Sequence, residues 1–257
     1  MDVGRLFSVE GKVALVTGGS RGIGLMIARG YVASGAKVYV ASRKKEACDA
    51  AAAELSKLGT CLSLPADLST PEGCRGLAAE LAEREPRVHV LVNNAGANWG
   101  APLEEYPDAA FEKVLFLNVT AAFRLTVSLL AQLRAASAPG DPARVINIGS
   151  IDGLGVPLLD TYAYSSSKAA LHHLTRHLAR RLAPEITVNA VAPGPFESKM
   201  MAATLERFGD AIRGSNPLKR IGEPEDMAGV ALYLASRAGA YVNAAVIPVD
   251  GGISGTR

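Results

Sequence analysis

Tyr164 and Lys168 lie four residues apart in the stretch YAYSSSKAALHHL. On a helix, side chains at that spacing share one face and can meet. A free phenol, with a pKa of about 10, is a poor base near neutrality, and an adjacent ammonium favours its ionised form. The expectation is that Lys168 lowers the pKa of Tyr164. Ser150 closes the run RVINIG, where its hydroxyl can donate to a substrate carbonyl and orient it. Asn118 stands inside a helical pattern, an unusual place for a side chain that competes for backbone hydrogen bonds. Together these residue types suit the reduction of a ketone, which needs a hydride on carbon and a proton on oxygen.

A second group of residues suits an anion. The run KVALVT (12–17) leads straight into TGGSRGIG (17–24), and an amphipathic pattern follows. Gly18 can supply a tight turn, and Gly22 and Gly24 let backbone N–H groups and a helix N-terminus approach a pyrophosphate. A site for NAD places an acid at the end of the second strand, to hold the ribose 2′-hydroxyl. Here the chain reads Ala41-Ser42-Arg43-Lys44-Lys45. Arg43 can grip a 2′-phosphate with a charge-assisted fork, and Arg21 is a second cation for it. The cofactor read from these residues is NADP(H).

Seven short apolar runs must carry these groups: 12–17, 37–41, 60–64, 88–92, 144–149, 186–191 and 244–249. Several are apolar without a break, as strands covered on both faces are. Between them lie helical spacings such as Ile23, Ile27 and Val32, or Phe111, Leu115 and Val119. The alternation predicts an α/β fold, one doubly wound parallel sheet with helices on both faces, in a single domain over 1–257. Ala135 to Pro142 reads as a surface loop. The excursion from Pro193 to Pro217 reads as a ligand-shaping segment.

Composition narrows the function classes. Of 257 residues 49% are hydrophobic and 20% charged, and the net charge is +2. That supports a packed core and argues against a basic face for nucleic acid. Cys48, Cys61 and Cys74 form no CxxC pair, so reduced thiols and no metal site are expected. No apolar run reaches the ~18 residues of a membrane span, and MDVGRLFSVEGK lacks a signal-peptide core. The expected location is the cytoplasm, with no membrane partner.

These motifs together resemble the short-chain dehydrogenase/reductase superfamily over nearly the whole chain. TGGSRGIG resembles its cofactor turn, and Asp67 in PADLS resembles the residue that contacts adenine. NNAG (93–96) resembles the motif after strand four, PGPFESKM (193–200) the segment flanking the nicotinamide, and VDGG (249–252) the C-terminal motif. The resemblance implies the strand order 3-2-1-4-5-6-7 and a dimer or homotetramer. It assigns Asn118, Ser150, Tyr164 and Lys168 to a catalytic tetrad in which Asn118 holds a water that relays protons to Lys168. It assigns cofactor contacts to Gly18, Ser20, Arg21, Gly22, Ile23 and Gly24 in the turn, and to Ser42, Arg43, Asp67 and Leu68 beyond it. Further contacts fall on Asn94, Ala95 and Gly96, on Tyr164 and Lys168, and on Pro193, Gly194 and Ser198. ARVINIGS with YAYSSSKAALHHL is similar to the rhamnolipid-associated 3-oxoacyl reductases and fungal relatives.

Three departures matter. Ser150 and Tyr164 lie one residue further apart than is common, so the loop 151–161 is expected to be remodelled over the substrate. Ala244 stands where Gly is frequent. Asp141 and Glu185 occupy positions near which carrier-protein reductases place Arg, which argues against an acyl-carrier-protein partner. The substrate class is therefore a 3-oxoacyl-type or small carbonyl compound. An NAD-dependent sugar or polyol dehydrogenase, and a non-catalytic NADP-binding redox sensor, are the alternatives. His172 and His173 are expected on the surface or at an interface, Tyr106 and Tyr162 to pack, and Trp99 either to pack or to line the pocket. Part of the stripe Phe116, Leu117, Phe123, Val127 and Leu130 is expected to face a partner subunit.

Overall fold

A computed structural model describes residues 2–198 and 201–256. Seven strands form it: β1 (Val13–Thr17), β2 (Lys37–Ala41), β3 (Cys61–Ser63), β4 (Val90–Asn93), β5 (Ala143–Ile148), β6 (Ile186–Pro193) and β7 (Val246–Val249). All pair in parallel, in the order β3-β2-β1-β4-β5-β6-β7. The expected fold and strand order are thus observed, and each apolar run holds a strand. The order reverses between β1 and β4, where Ala14 pairs with Val38 on one side and Val90 on the other. A crevice opens at the carboxyl ends at such a point.

The helices are α1 (Val3–Leu6), α2 (Gly22–Ala33), α3 (Lys45–Leu55), α4 (Pro71–Arg84), α5 (Asp108–Leu115), α6 (Ala121–Ser128), α7 (Leu130–Ala136), α8 (Tyr162–Leu182), α9 (Ala202–Ser215) and α10 (Pro224–Ala235). On one face of the sheet, Ile27 and Val32 of α2, Leu55 of α3 and Met227 and Leu234 of α10 close over Val16, Val38 and Ile146. On the other, Leu77 and Leu81 of α4, Leu125 of α6, Leu133 of α7 and Ala179 of α8 close over Leu15, Leu91 and Val145. Burial on both faces is why these strands read as unbroken apolar runs. The spacing of Phe111, Leu115 and Val119 misjudged the buried stripe, because Val114, Leu117 and Ala121 face the core while Phe111 is partly exposed. Among the described residues no single helix is long and apolar enough to cross a membrane.

Ala244 adopts φ +63°, a left-handed conformation in which its Cβ crowds the following carbonyl. That is the physical reason a glycine suits the position. Ala244→Gly is expected to raise stability by about 1 kcal/mol, less glycine's extra chain entropy when unfolded, read as a higher denaturant midpoint.

Candidate active site

The glycine-rich turn has the shape its residues predict. Gly18 and Gly22 take φ +63° and +53°. A Cβ on Gly18 would lie 2.7 Å from Asn94 Nδ2, and one on Gly24 only 2.5 Å from the Gly18 carbonyl oxygen. The turn is therefore folded too tightly for side chains, and α2 begins at Gly22 with no side-chain cap. Its first N–H groups are left free for an anion.

Thr17, which the sequence reading passed over, locks this turn to the end of β4. Its hydroxyl donates to the Val92 carbonyl (3.1 Å) and accepts from the N–H groups of Asn94 (2.9 Å) and Ala95 (3.0 Å). The Asn94 amide donates to the Thr17 carbonyl at 2.8 Å. Asn94 and Ala95 thus brace the turn from the far side of the crevice. Ser20 and Ile23 are half-buried within it, and Arg21 is exposed at its rim. Ser198 lies against it too, since a Cβ on Gly22 would come 3.3 Å from the Ser198 Cβ. Lys199 and Met200, the end of the expected nicotinamide segment, lie outside the described residues.

At the end of β2, Ser42 is half-buried and Arg43 exposed. Asp67 lies close enough to feel the Arg43 charge. Burial raises its carboxyl, but hydrogen bonds from the Ser69 backbone and hydroxyl, with Arg43 nearby, hold it below the usual range. Leu68 is buried in the core. Gly194 follows β6 and packs on Asp250, with no room for a Cβ (2.6 Å to the Asp250 Cβ). Asp250 in turn accepts from the Gly252 and Ser254 N–H groups. The VDGG motif therefore props Pro193 and Gly194. A cradle cleared of side chains, a free helix N-terminus, and cations at Arg21 and Arg43 fit a phosphorylated dinucleotide.

The proton-transfer group assembles beyond the ends of β4 and β5. Tyr164 and Lys168 stand on one face of α8, with the Lys168 ammonium 5.5 Å from the Tyr164 ring centre. Lys168 donates to the Ile148 carbonyl at 2.7 Å. Ser150 is buried, its hydroxyl within hydrogen-bonding reach of the Tyr164 phenol and accepting from the Asp152 N–H at 3.2 Å. The expected lowering of the phenol is not observed. Burial pushes Tyr164 up to about 12, against the opposing hydrogen bond to Ser150. The ammonium lies over the ring and donates to the Ile148 carbonyl, and burial sets the direction of the phenol's shift. Burial also brings Lys168 down to about 8.

Asn118 sits in a π-helical turn, Phe116–Thr120, between α5 and α6. Such turns widen a helix locally, often at functional sites. Its amide donates to the Ala97 carbonyl (3.0 Å) and the Ser167 hydroxyl (2.9 Å) and accepts from the Ala97 N–H (2.8 Å). Gly96 passes so close that a Cβ would lie 3.1 Å from the Asn118 Oδ1. The side chain thus clips the loop after β4 to α8, and both of its donors are engaged there. Beneath it runs a buried chain the sequence reading missed. Asn93 donates to Thr126 (3.2 Å) and Asn147 (2.9 Å), and Asn147 donates to Thr175 (2.9 Å). These bonds tie α6, β4, β5 and α8 together under the site.

Of the two histidines, His173 is exposed as expected, but His172 is buried because it follows Lys168 on the inward stripe of α8. Among the described residues no cluster of three His, Cys, Asp or Glu could hold a metal. Tyr106 packs edge-on against Tyr162 at 5.5 Å and Phe111 at 6.1 Å. Trp99 is half-exposed, its carbonyl accepting from the Tyr106 hydroxyl. Asp141 pairs with Lys12 and Arg144, and Glu185 with Arg134. Their charges are thus compensated, which weakens the case that they repel a carrier protein.

Known proteins similar to this chain identify its family. Residues 12–207 match the family described as short chain dehydrogenase. The chain is 50% identical to a rhamnolipid-biosynthesis 3-oxoacyl-(acyl-carrier-protein) reductase of Pseudomonas aeruginosa, covering 96% of this chain and 97% of that protein. It is 38% identical to the L-tagatose-forming galactitol 2-dehydrogenase of Cereibacter sphaeroides, covering 98% of each. The solved structure of the Pseudomonas aeruginosa RhlG/NADP active-site complex superposes with a TM-score of 0.94, at 49% identity, over 97% of this chain and 99% of that one. The chain belongs to the short-chain dehydrogenase family and is one of its oxidoreductases.

Proposed function

We propose that the protein reduces 3-oxoacyl-type ketones with NADPH. What supports this reading is the Tyr164 phenol buried beside the Ser150 hydroxyl, beyond β5 in the sheet whose order reverses at the strand leading into the glycine turn. Gly18, Gly22 and Gly24 with the α2 N-terminus hold the pyrophosphate, and Arg43 with Arg21 holds the 2′-phosphate. Lys168 and Ser198 hold the nicotinamide end. When bound, the dinucleotide supplies the hydride. Ser150 donates to the substrate carbonyl and sets its approach. Tyr164 gives its phenolic proton to the oxygen as the carbon is reduced, and Lys168 steadies the phenolate left behind. Asn118 fixes the loop wall facing α8.

The rim of the site favours an aliphatic substrate over a polyol. Leu158 is fully exposed, Val156 is 92% exposed, and Leu154, Leu159 and Trp99 are about half out. Their two loops are joined by the Ala101 N–H donating to the Asp160 carbonyl at 3.2 Å. An apolar rim beside the reacting groups can cover an acyl chain. The 50% identical relative is named as a rhamnolipid-biosynthesis 3-oxoacyl-(acyl-carrier-protein) reductase. Self-association uses the exposed Phe123 and Val127 on α6. A cytoplasmic location suits three unpaired, buried cysteines, Cys48, Cys61 and Cys74.

Arg43→Asp tests the cofactor assignment. Replacing a charge-assisted contact by a repulsive one should lower kcat/KM for NADPH by about 100-fold and leave NADH within about threefold. Steady-state rates with both cofactors measure it. Equal loss for both would remove Arg43 from the phosphate site.

A further inference from the structure

His172 is a buried polar group beside the site that the reaction does not use. The residue is 3% exposed, yet neither ring nitrogen makes a hydrogen bond of good geometry, the nearest polar group being the Gly153 backbone. Burying such atoms unpaired costs about 1–3 kcal/mol each, so a feature of this kind asks for a reason. The ring lies against two glycines that flank Ser150. A Cβ on Gly149 would fall 2.0 Å from His172 Nε2 and 2.7 Å from its Cδ2, and one on Gly153 would fall 2.9 Å from its Cε1. The segment between them carries Ser150 in extended conformation and then the 3-10 turn Ile151–Gly153. Its upstream end is fixed to β6 by the Gly149 N–H donating to the Val191 carbonyl at 2.7 Å. Its far side packs on α8, through the imidazole and through Gly153 against the Lys168 and Ala169 backbone.

We propose that His172 is a positioning residue: its ring fills the space left by Gly149 and Gly153 and sets the turn that aims Ser150 at the Tyr164 hydroxyl. The inference rests on the reading of Ser150 and Tyr164 as the reacting pair. It treats the two glycines and the histidine as one sterically matched set. Room for the ring exists only because position 149 lacks a Cβ. Gly153 differs, because a Cβ there would also strike the backbone of α8, 2.6 Å from the Lys168 carbonyl carbon.

That difference gives the test. Ketone reduction and NADPH binding are measured for His172→Ala, His172→Leu, Gly149→Ala, Gly153→Ala and the two glycine variants combined with His172→Ala. His172→Ala is expected to lower kcat about 10- to 100-fold through a misplaced Ser150, with NADPH affinity within about twofold of the parent. His172→Leu, of similar volume, is expected to restore most of kcat. Gly149→Ala should be impaired and should recover at least about fivefold when His172→Ala is added, the coupling expected of two residues that compete for one space. Gly153→Ala should not recover, because its clash is with helix backbone. Wild-type kcat in His172→Ala, or a Gly149→Ala defect unchanged by the second substitution, would overturn the proposal. Should Gly149→Ala fail to fold, the melting temperature of the double variant carries the same comparison: rescue of folding supports it, and no rescue overturns it. Wild-type turnover of the ketone is the separate check on the reacting pair.

Discussion

Tyr164→Phe is expected to lose ketone reduction by about 10²- to 10⁴-fold while binding NADPH with nearly parental affinity. The substitution removes one oxygen from a ring otherwise held by α8. Burial keeps the phenol protonated, up at about 12, so at neutral pH it stands ready to give a proton rather than take one. That state suits reduction. Alcohol oxidation needs the phenolate, so its rate should climb with pH over the alkaline range, while reduction should not. Stopped assays for turnover and fluorescence titration for NADPH separate the two effects. Loss of cofactor affinity with turnover retained would take the acid role away from Tyr164.

Lys168→Met should make the protein more stable and far less active. Lys168 is buried and its pKa is brought down by burial to about 8. Against an unfolded value of about 10.4, carrying this charge costs roughly 3 kcal/mol at neutral pH. Methionine removes that cost, but it leaves the Ile148 carbonyl without its 2.7 Å partner, a loss of about 1–3 kcal/mol. The net gain expected is about 1 kcal/mol at pH 7. The sign with pH follows. Below about 8 the lysine is charged in both states and the cost is full. Between about 8 and 10.4 the unfolded chain binds the proton that the folded one has shed, so wild-type stability rises with pH. The advantage of the methionine variant must therefore shrink across that interval. Chemical denaturation at pH 7 and 10 measures it. Below about pH 8, where the lysine keeps its charge, turnover should fall by at least about 100-fold, because nothing then steadies the phenolate.

Much of this architecture could be read before any coordinates. Short apolar runs located all seven strands, most plainly β1, β4, β5 and β6, which are buried along their whole length and leave no alternation to misread. The glycine turn was legible because only residues without Cβ fit where Gly24 approaches the Gly18 carbonyl. What escaped depends on contacts between distant segments. Thr17 looks like any strand-ending threonine until its hydroxyl is seen joining Val92, Asn94 and Ala95. Asn93, Asn147, Thr126 and Thr175 come from four elements, and no local spacing links them. Asn118 was noticed as odd, but its engagement with Ala97 and Ser167 follows from a π-turn that no periodicity announces. The phenol's pKa was misjudged for a related reason: spacing shows that a lysine can approach a tyrosine, and only packing shows how dry both have become. Adjacent histidines look polar and read as surface or interface residues, while the stripe of α8 decides that His172 turns inward.

Several readings converge on one event, a proton passing from the Tyr164 hydroxyl to a ketone oxygen as NADPH is consumed. The most direct check is to follow nicotinamide absorbance when the purified protein and NADPH meet a panel of 3-oxoacyl compounds as free acids, CoA thioesters and carrier-protein thioesters. Steady loss of NADPH with at least one of them, absent in Tyr164→Phe, is the predicted result. NADPH that binds but is consumed with none of them, or is consumed equally well by Tyr164→Phe, would contradict it.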